Sequence, residues 1–270
     1  MHKSVSIIGC GFVGQPLALQ LVKEGYKVYG TSTTHEKIER LWENKVEAYH
    51  LEVNEEELIG NIPQDVWEAD AVVITIPPNR RNPADVASYP KRIKRVLEKI
   101  ADHGTTKTVF FTSSTGVYGD QNELLTEESV LQPKRITAKA CALAEQYFLS
   151  FSTTAIILRL SGLIGGERPA GRFLAGKSNI PNGGIPVNLV LVEDVVGVIS
   201  NLLKRKNRSE IYNICADEHP SRSVFYPQAA IKLGLEPPSF LPDTAETMTK
   251  KQVSNKKIKE YTGYNFQAIF

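Results

Sequence analysis

The sequence predicts an α/β protein built on a doubly wound parallel sheet, with a small lobe towards its C-terminal end. Apolar runs of strand length alternate with longer stretches of helical period, which is the order of a sheet with crossover helices. The strand-length runs are rich in Val, Ile and Phe and show little polar alternation, as strands covered on both faces do. The chain has 270 residues, 41% of them apolar and 23% charged, a composition that excludes disorder, collagen and coiled coil.

Six strands and four intervening helices are predicted in the first 164 residues. The strands cover residues 4–8, 27–31, 47–51, 71–76, 108–112 and 155–160, and the helices cover residues 14–24, 36–44, 89–103 and 138–150. Gly25, Asn44 and Gly104 lie at the ends of three of these helices, where helix stop signals are expected.

The character of the chain changes after Leu163. Residues 165–186 are too rich in glycine and proline for regular structure. Beyond them the pattern predicts strands at residues 187–192 and 211–215, and helices at residues 194–204, 225–233 and 256–262. We therefore expect one domain over residues 1–164 and a smaller lobe over residues 165–270, from which segments within about 187–215 return to the core.

Charge and cysteine content favour a cytoplasmic protein without nucleic-acid or membrane partners. The 32 basic and 30 acidic residues nearly cancel, to a net charge of +2, so there is no global electrostatic reason to expect either partner. Three scattered cysteines and five histidines show no disulfide or ligand spacing, so we expect a reduced protein without a metal. The apolar run at residues 5–22 imitates a signal peptide, but three glycines and Pro16 interrupt it.

The strongest local signal is a G-x-G-x-x-G sequence between the first predicted strand and the first predicted helix. It consists of Gly9, Gly11 and Gly14, with Phe12 and Val13 before the last glycine. In a βαβ unit these glycines provide a tight turn, room for a pyrophosphate beside the backbone, and close packing of helix and strand. The motif predicts a dinucleotide site at the start of the helix; a glycine-rich turn without a ligand is the alternative.

The end of the second predicted strand bears on which dinucleotide is bound. An NAD site usually offers a carboxylate there to the ribose diol, whereas this chain has Thr31, Ser32 and Thr33 and no acid before Glu36. Lys37 and Arg40 lie close by in sequence, and positive charge there would neutralise a 2′-phosphate. We therefore expect NADP as the cofactor, with NAD as the alternative. The hydroxyls also suit the capped start of the next helix.

Hydroxyl side chains crowd the end of the fifth predicted strand, where ligands sit in open α/β sheets. The segment TSSTGVYGD, which includes Thr112, Ser113, Ser114 and Tyr118, resembles the SS-x-x-VYG segment of extended short-chain dehydrogenase/reductases, the NAD-dependent epimerase/dehydratase family. The glycine loop, ITIPP, LRLSGLIG, VNLVLVEDVV and YNICADEHPSRSVFYPQAA fit the same chain order, so the resemblance covers nearly the whole chain. It implies a Rossmann-type sheet. The glycine spacing differs from the more usual G-x-x-G-x-x-G and is similar to that of an atypical bacterial subgroup.

The resemblance implies a serine that polarises a carbonyl or hydroxyl of the substrate, and a Y-x-x-x-K motif that transfers a proton. The serine matches Ser114. The Y-x-x-x-K motif is absent from the corresponding stretch: one frame places Thr137 and Cys141 at its two positions, and a shifted frame supplies Lys139 but no tyrosine. Threonine is too weak an acid for ordinary proton transfer near neutral pH, so Thr137, Lys139 and Tyr118 all remain candidates.

The resemblance also implies ligand contacts elsewhere in the chain. Cofactor contacts are expected after the fourth, fifth and sixth strands, from Ile76, Pro77, Pro78, Thr112, Ser113, Ser161 and Gly162. Arg168 and Arg172 match positions that bind the phosphates or the sugar of a substrate, and two ordinary surface arginines are the alternative. Asp194 is expected to cap the helix that it opens.

Two functions are consistent with these residues. The first is an NAD(P)-dependent oxidoreductase, or a related epimerase or dehydratase, that acts on a small polar substrate, with a nucleotide sugar as one candidate. The second is a sensor or regulatory protein that binds NADP(H) and has lost turnover together with the tyrosine. We expect a monomer or a homodimer.

Overall fold

The computed structural model describes residues 3–79, 82–243 and 251–270. The strands are β1 Ser4–Ile8, β2 Lys27–Ser32, β3 Glu47–His50, β4 Glu52–Val53, β5 Leu58–Ile59, β6 Ala71–Ile74, β7 Thr108–Ser114, β8 Leu124–Leu125, β9 Thr154–Leu160, β10 Gly162–Ile164, β11 Leu189–Leu191, β12 Glu210–Ile214 and β13 Gln252–Val253. The helices are α1 Gly14–Lys23, α2 His35–Glu43, α3 Gln64–Trp67, α4 Pro83–His103, α5 Ile136–Leu149, α6 Val192–Leu203, α7 Arg222–Ile231 and α8 Lys256–Thr262. Two short 3-10 helices cover Thr115–Tyr118 and Ala170–Arg172.

Seven strands form one sheet in the order β12-β9-β7-β6-β1-β2-β3, and every neighbouring pair is parallel. Successive residues of β1 face opposite sides, so Ile7 packs with α1 and α6 while Ile8 packs with α4 and α5. Because both faces of the central strands are covered, β6 is apolar throughout and β7 is apolar from Val109 to Phe111. The predicted α/β fold with a doubly wound parallel sheet is confirmed.

The boundaries of several elements differ from the prediction. Helix α4 begins at Pro83, six residues before the predicted start, because the side chain of Asn82 accepts the N–H of Ala84 at 3.0 Å and caps it. The helix then continues through Pro90, which the prediction had placed in the first turn. Strand β7 runs on to Ser114, because its pairing with β9 extends that far.

Of the short strands, β11 lies within the strand predicted at residues 187–192; the others were not predicted, since two- and three-residue strands carry no periodic signal. Strands β4 and β5 form an antiparallel pair, and β10 pairs with β11 in a parallel one. Strand β13, near the C-terminal end, pairs with β8, which follows the fifth strand of the predicted core. These pairings join the later part of the chain to the loops above the sheet.

The expected helix-capping role of Asp194 is wrong. Helix α6 begins two residues earlier, at Val192, so Asp194 lies inside its first turn. The carboxylate is fully buried and accepts hydrogen bonds from the hydroxyl of Tyr264 at 3.1 Å and the backbone N–H of Gln267 at 3.2 Å. Asp194 therefore fastens the C-terminal tail of the chain against α6.

Candidate functional site

A cleft of about 1100 Å³ lies over the carboxyl ends of β1, β2, β6, β7 and β9. Chain order reverses between β1 and β6, and ligands of open α/β sheets bind at such a reversal. Most of the sequence-predicted residues line this cleft, namely Gly9, Gly11, Phe12, Val13, Thr31, Ser32, Thr33, Lys37, Ile76, Pro77, Pro78, Thr112, Ser113, Ser114, Thr137, Ser161, Gly162 and Arg168.

The glycine loop has the geometry that a dinucleotide needs. Gly9 has φ +104°, and its N–H donates to Oγ1 of Thr31 at 3.0 Å, while the N–H of Cys10 donates to the carbonyl of the same residue at 2.7 Å. Nothing lies within 4 Å of the position of a Cβ on Gly11, so a phosphate has room there. Among the described residues, no protein acceptor is recorded for the N–H groups of Phe12 and Val13. The loop therefore fits a pyrophosphate.

Gly14 acts through packing rather than by lining the cleft. A Cβ there would lie 2.4 Å from the carbonyl oxygen of Gly9 and 2.8 Å from Oγ1 of Thr75. We expect Gly14→Ala to lower the free energy of unfolding by about 1–3 kcal/mol, because the loop must shift to admit the methyl group, and to weaken dinucleotide binding.

Urea denaturation and a dinucleotide titration of each variant check this expectation. Gly11→Ala is the matched control, since the added methyl group enters open space. It should keep the stability of the wild type and lose affinity alone. A Gly14→Ala protein as stable as the wild type would contradict the packing role.

The end of β2 offers hydroxyls and a cation to the cleft. Thr31 is engaged with the glycine loop, and Oγ of Ser32 accepts the N–H of Thr34 at 3.1 Å. Thr33 and Lys37 are exposed and line the cleft. Among the described residues that line it, the charged side chains are all cationic: Lys37, Arg92, Arg135 and Arg168. The site is therefore suited to an anionic ligand.

Ser114 ends β7 and lies half-buried at the wall of the cleft. Its Oγ accepts the N–H of Gly116 at 3.1 Å, which caps the following 3-10 helix and fixes the side chain. Thr137 and Cys141, one turn apart on α5, line the same cleft. Lys139 is exposed and is not among the lining residues. Of the two alignments to the Y-x-x-x-K motif, the one with Thr137 and Cys141 therefore has both of its residues in the cleft.

Tyr118 belongs to a buried polar network beneath the cleft. Its hydroxyl donates to Oδ1 of Asn213 at 2.7 Å and accepts from Arg159 at 2.9 Å, and the residue is completely buried. Arg159 also pairs with Glu145 at 2.7 Å, and Ser113 donates to the same carboxylate at 2.6 Å. Tyr118 therefore supports β7 from beneath and does not line the cleft, because Asn213 and Arg159, the partners of its hydroxyl, are both buried.

Tyr226 lines the cleft and was not singled out from the sequence. It lies on α7, which packs against the 3-10 helix Ala170–Arg172, and its ring meets buried Phe225 edge-on at 5.3 Å. The structure records no hydrogen bond from its hydroxyl to a described residue, and burial raises the pKa of this phenol. No sequence pattern distinguishes Tyr226 from its neighbour Phe225, because both are aromatic and only the packing of the lobe separates them.

The two arginines of the glycine- and proline-rich loop lie in different places. Arg168 lines the cleft, with its guanidinium carbon 5.2 Å from the ring centre of Phe12 and 5.8 Å from that of Phe173. Arg172 is exposed and does not line the cleft, because it ends the 3-10 helix on the outer side of the loop. Of the two predicted substrate residues, the structure thus brings only Arg168 to the site.

Other kinds of site find no support in residues 3–79, 82–243 and 251–270. No group of three or more His, Cys, Asp or Glu side chains there is arranged to hold a metal ion. Within the same ranges no helix is long and apolar enough to cross a membrane. Burial raises the pKa of Cys10 and of Cys215 to about 12, so neither thiol is a ready nucleophile.

The fold and the cleft define the class to which this protein belongs. The model of the NAD dependent epimerase/dehydratase family matches residues 5–215, and the chain is a member of that family. The resemblance predicted from the glycine loop and the TSSTGVYGD segment is therefore confirmed.

Individual relatives are similar over almost their whole length. Protein YeeZ of Escherichia coli (strain K12) is 37% identical over 267 residues, which are 98% of this chain and 96% of that protein. UDP-glucose 4-epimerase of Thermotoga maritima, solved with UDP-glucose, is 20% identical with a TM-score of 0.76, covering 98% of this chain and 94% of its own. The Bordetella bronchiseptica enzyme WbmG, solved with NAD, is 15% identical with a TM-score of 0.79, covering 100% and 91%. At such identities the likeness to the two structures shows the fold.

Proposed function

We propose that this protein is an NADP(H)-dependent enzyme that moves hydride between the nicotinamide and a carbinol or carbonyl carbon of a small anionic substrate. The observation that carries the proposal is one continuous cleft that joins the open side of the glycine loop at Gly11 to the hydroxyl of Ser114. A nucleotide sugar is the candidate substrate, because the cationic lining suits its diphosphate and the Thermotoga maritima relative was solved with UDP-glucose.

The chain's own residues supply binding and proton transfer. When bound, NADP(H) provides the hydride chemistry. Ser114 donates a hydrogen bond to the reacting oxygen of the substrate, and Tyr226 supplies or receives the proton from the lobe side of the cleft. Burial raises the pKa of this phenol, so it is protonated at neutral pH; its place in the lining of the cleft, and not that shift, supports the donor role. Thr137 lines the same cleft and is the second candidate for that role.

The preference for NADP rests on the end of β2. The ribose side of the cleft presents Thr33 and Lys37 with no carboxylate among its described lining residues, and a carboxylate there would repel a 2′-phosphate. We expect Lys37→Ala to weaken NADPH binding about tenfold and to change NADH binding little, since only NADPH carries the second phosphate.

Fluorescence titration of each cofactor measures this effect. Arg40→Ala is the matched control, because Arg40 lies one turn further along α2, pairs with Glu36 at 2.5 Å and does not line the cleft. A wild-type protein that binds NADH more tightly than NADPH would show the cofactor preference to be wrong.

A sensor that binds NADP(H) without turnover is the second candidate. It is favoured by the two dyad positions, where Thr137 and Cys141 line the cleft in place of tyrosine and lysine. Loading the protein with NADPH or NADP and adding a panel of sugar nucleotides and simple carbonyl compounds separates the two functions. The enzyme oxidises or reduces its cofactor with at least one compound, and Ser114→Ala slows it; the sensor binds cofactor tightly and leaves every compound unchanged.

We also propose that the chain divides into a cofactor domain over residues 1–164 and a substrate lobe over residues 165–270. Segments of the lobe within about 187–215 return to the core. A cytoplasmic location is proposed because Cys10, Cys141 and Cys215 are all buried and none forms a disulfide.

A further inference from the structure

Arg168 lies where the loop after β10 crosses the glycine loop. Its guanidinium lies between the rings of Phe12 and Phe173, at 5.2 Å and 5.8 Å from their centres. Phe12 is itself a member of the G-x-G-x-x-G sequence, so the arginine stacks on the dinucleotide loop and not on the wall that carries Ser114. A guanidinium held between two rings keeps its N–H groups free at its edge.

The backbone around Arg168 is fixed from both ends. The N–H of Arg168 donates to the carbonyl of Gly165 at 2.9 Å, which closes a tight turn. A Cβ on Gly166 would lie 3.9 Å from Val192 and 4.0 Å from Phe12, so this turn rests on the start of α6 and on the glycine loop. Further along, Gly171 approaches α7 so closely that a Cβ would lie 2.2 Å from a backbone oxygen of that helix. The backbone at Arg168 is therefore held in place by packing, while its side chain is exposed and lies against the rings of Phe12 and Phe173.

The charge of Arg168 has no partner in the described part of the chain. The structure records no ion pair and no side-chain hydrogen bond for it among those residues, and the cleft around it is lined by further cations. The glycine loop on which it lies offers two N–H groups without a recorded acceptor among the described residues, those of Phe12 and Val13, and open space at Gly11. A ligand that contacts both the guanidinium of Arg168 and the N–H groups of the glycine loop must therefore carry negative charge.

We propose that Arg168 binds the pyrophosphate of the dinucleotide from the side opposite the glycine loop, so that the two loops clamp the cofactor. This inference rests on the proposed function, since it requires a bound dinucleotide. Arg168 then retains the cofactor, whereas the resemblance to the family implied that it binds the substrate. The chemical class of its ligand is the diphosphate of NADP(H), because Phe12 sets the arginine above that part of the loop.

Fluorescence titration of NADPH and NADH, without any substrate, tests the clamp. We expect Arg168→Ala to raise the Kd of both cofactors about 10- to 100-fold, since a charge-assisted contact to the shared pyrophosphate is lost. Arg168→Lys should lose less, because it keeps the charge and gives up the planar stacked fork. Arg172→Ala is the matched control and should bind as the wild type does.

Further ligands identify which phosphate Arg168 contacts. ADP-ribose, which carries the pyrophosphate without nicotinamide, should lose affinity in Arg168→Ala by a factor similar to that for NADPH, whereas adenosine, with no phosphate, should be unaffected. Affinity of the wild type should also fall more steeply with salt than that of Arg168→Ala. An effect on NADPH alone would assign the arginine to the 2′-phosphate and overturn the clamp.

The remaining outcomes separate the clamp from the proposed function. Unchanged cofactor affinity in Arg168→Ala, together with weakened binding of UDP-glucose to the NADPH-loaded protein, would overturn the clamp in favour of substrate recognition. Unchanged affinity for every ligand would overturn it as well. A wild-type protein that binds no dinucleotide would overturn the proposed function itself.

Discussion

Replacing Arg159 by methionine is expected to lower the free energy of unfolding by about 3–5 kcal/mol, since breaking one side of a buried ion pair leaves an uncompensated charge. The side chains of Arg159 and Glu145 are 4% and 2% exposed, and their closest atoms lie 2.7 Å apart. Without the guanidinium, the hydroxyl of Ser113 is the one partner left to Glu145 among the described residues, and the hydroxyl of Tyr118 loses one of its two partners there. Thermal denaturation should show a midpoint lowered by roughly 10 °C.

A surface pair offers the matched control. Arg40 and Glu36 also form an arginine–carboxylate pair, but both side chains are mostly exposed, and solvent screens such pairs. Arg40→Met should therefore unfold close to the wild type. Combining Arg159→Met with Glu145→Gln should recover part of the lost stability, because the stranded charge is removed. If Arg159→Met and Arg40→Met unfold alike, the network does not support β7 as described.

Tyr226→Phe is expected to reduce turnover at least about 100-fold with whichever compound of the substrate panel reacts, because the proton donor is removed. The hydroxyl has no recorded partner among the described residues, so stability and the Kd for NADPH should stay close to wild type. Burial raises the pKa of this phenol, so a donor role predicts activity that is held through neutral pH and lost only when alkaline pH removes the proton.

Two further variants serve as a control for Tyr226→Phe and as a test of the alternative proton donor. Tyr147 lies in the last turn of α5 and, unlike Thr137 at the start of that helix, does not line the cleft, so Tyr147→Phe should leave turnover unchanged. Thr137→Val tests the other hydroxyl at the position of the family tyrosine. Wild-type turnover in Tyr226→Phe combined with loss in Thr137→Val would assign proton transfer to Thr137.

The fold was predictable because its signals are local. Strands buried on both faces are mostly apolar, as Val5, Ile7 and Ile8 in β1 are, although Ser6 is buried among them. The helices between the strands carry the usual stops at Gly25 and Gly104. The dinucleotide loop was also predictable, since its three glycines meet separate steric needs that are written in their spacing. Gly14 shows this directly, with a Cβ position only 2.4 Å from a backbone oxygen.

The substrate side was less predictable because it depends on how the lobe packs. Tyr226 and Phe225 are adjacent aromatic residues, yet one lines the cleft and the other fills the core of the lobe. The stacking of Arg168 on Phe12 joins residues far apart in sequence, which no periodicity encodes. The start of α4 was missed because the prediction expected Pro90 near the beginning of a helix, while the cap at Asn82 starts the helix earlier.

We propose that one cleft holds NADP(H) and carries out hydride transfer beside Ser114. The most direct test of this proposal is a single-turnover experiment in which the NADPH-loaded protein is mixed with keto-sugar nucleotides and simple carbonyl compounds while the nicotinamide absorbance is followed. We expect stoichiometric oxidation of the bound cofactor with at least one compound, slowed at least about 100-fold in Ser114→Ala. Tight NADPH binding with no oxidation across the panel, unchanged in Ser114→Ala, would contradict the enzyme and leave the sensor.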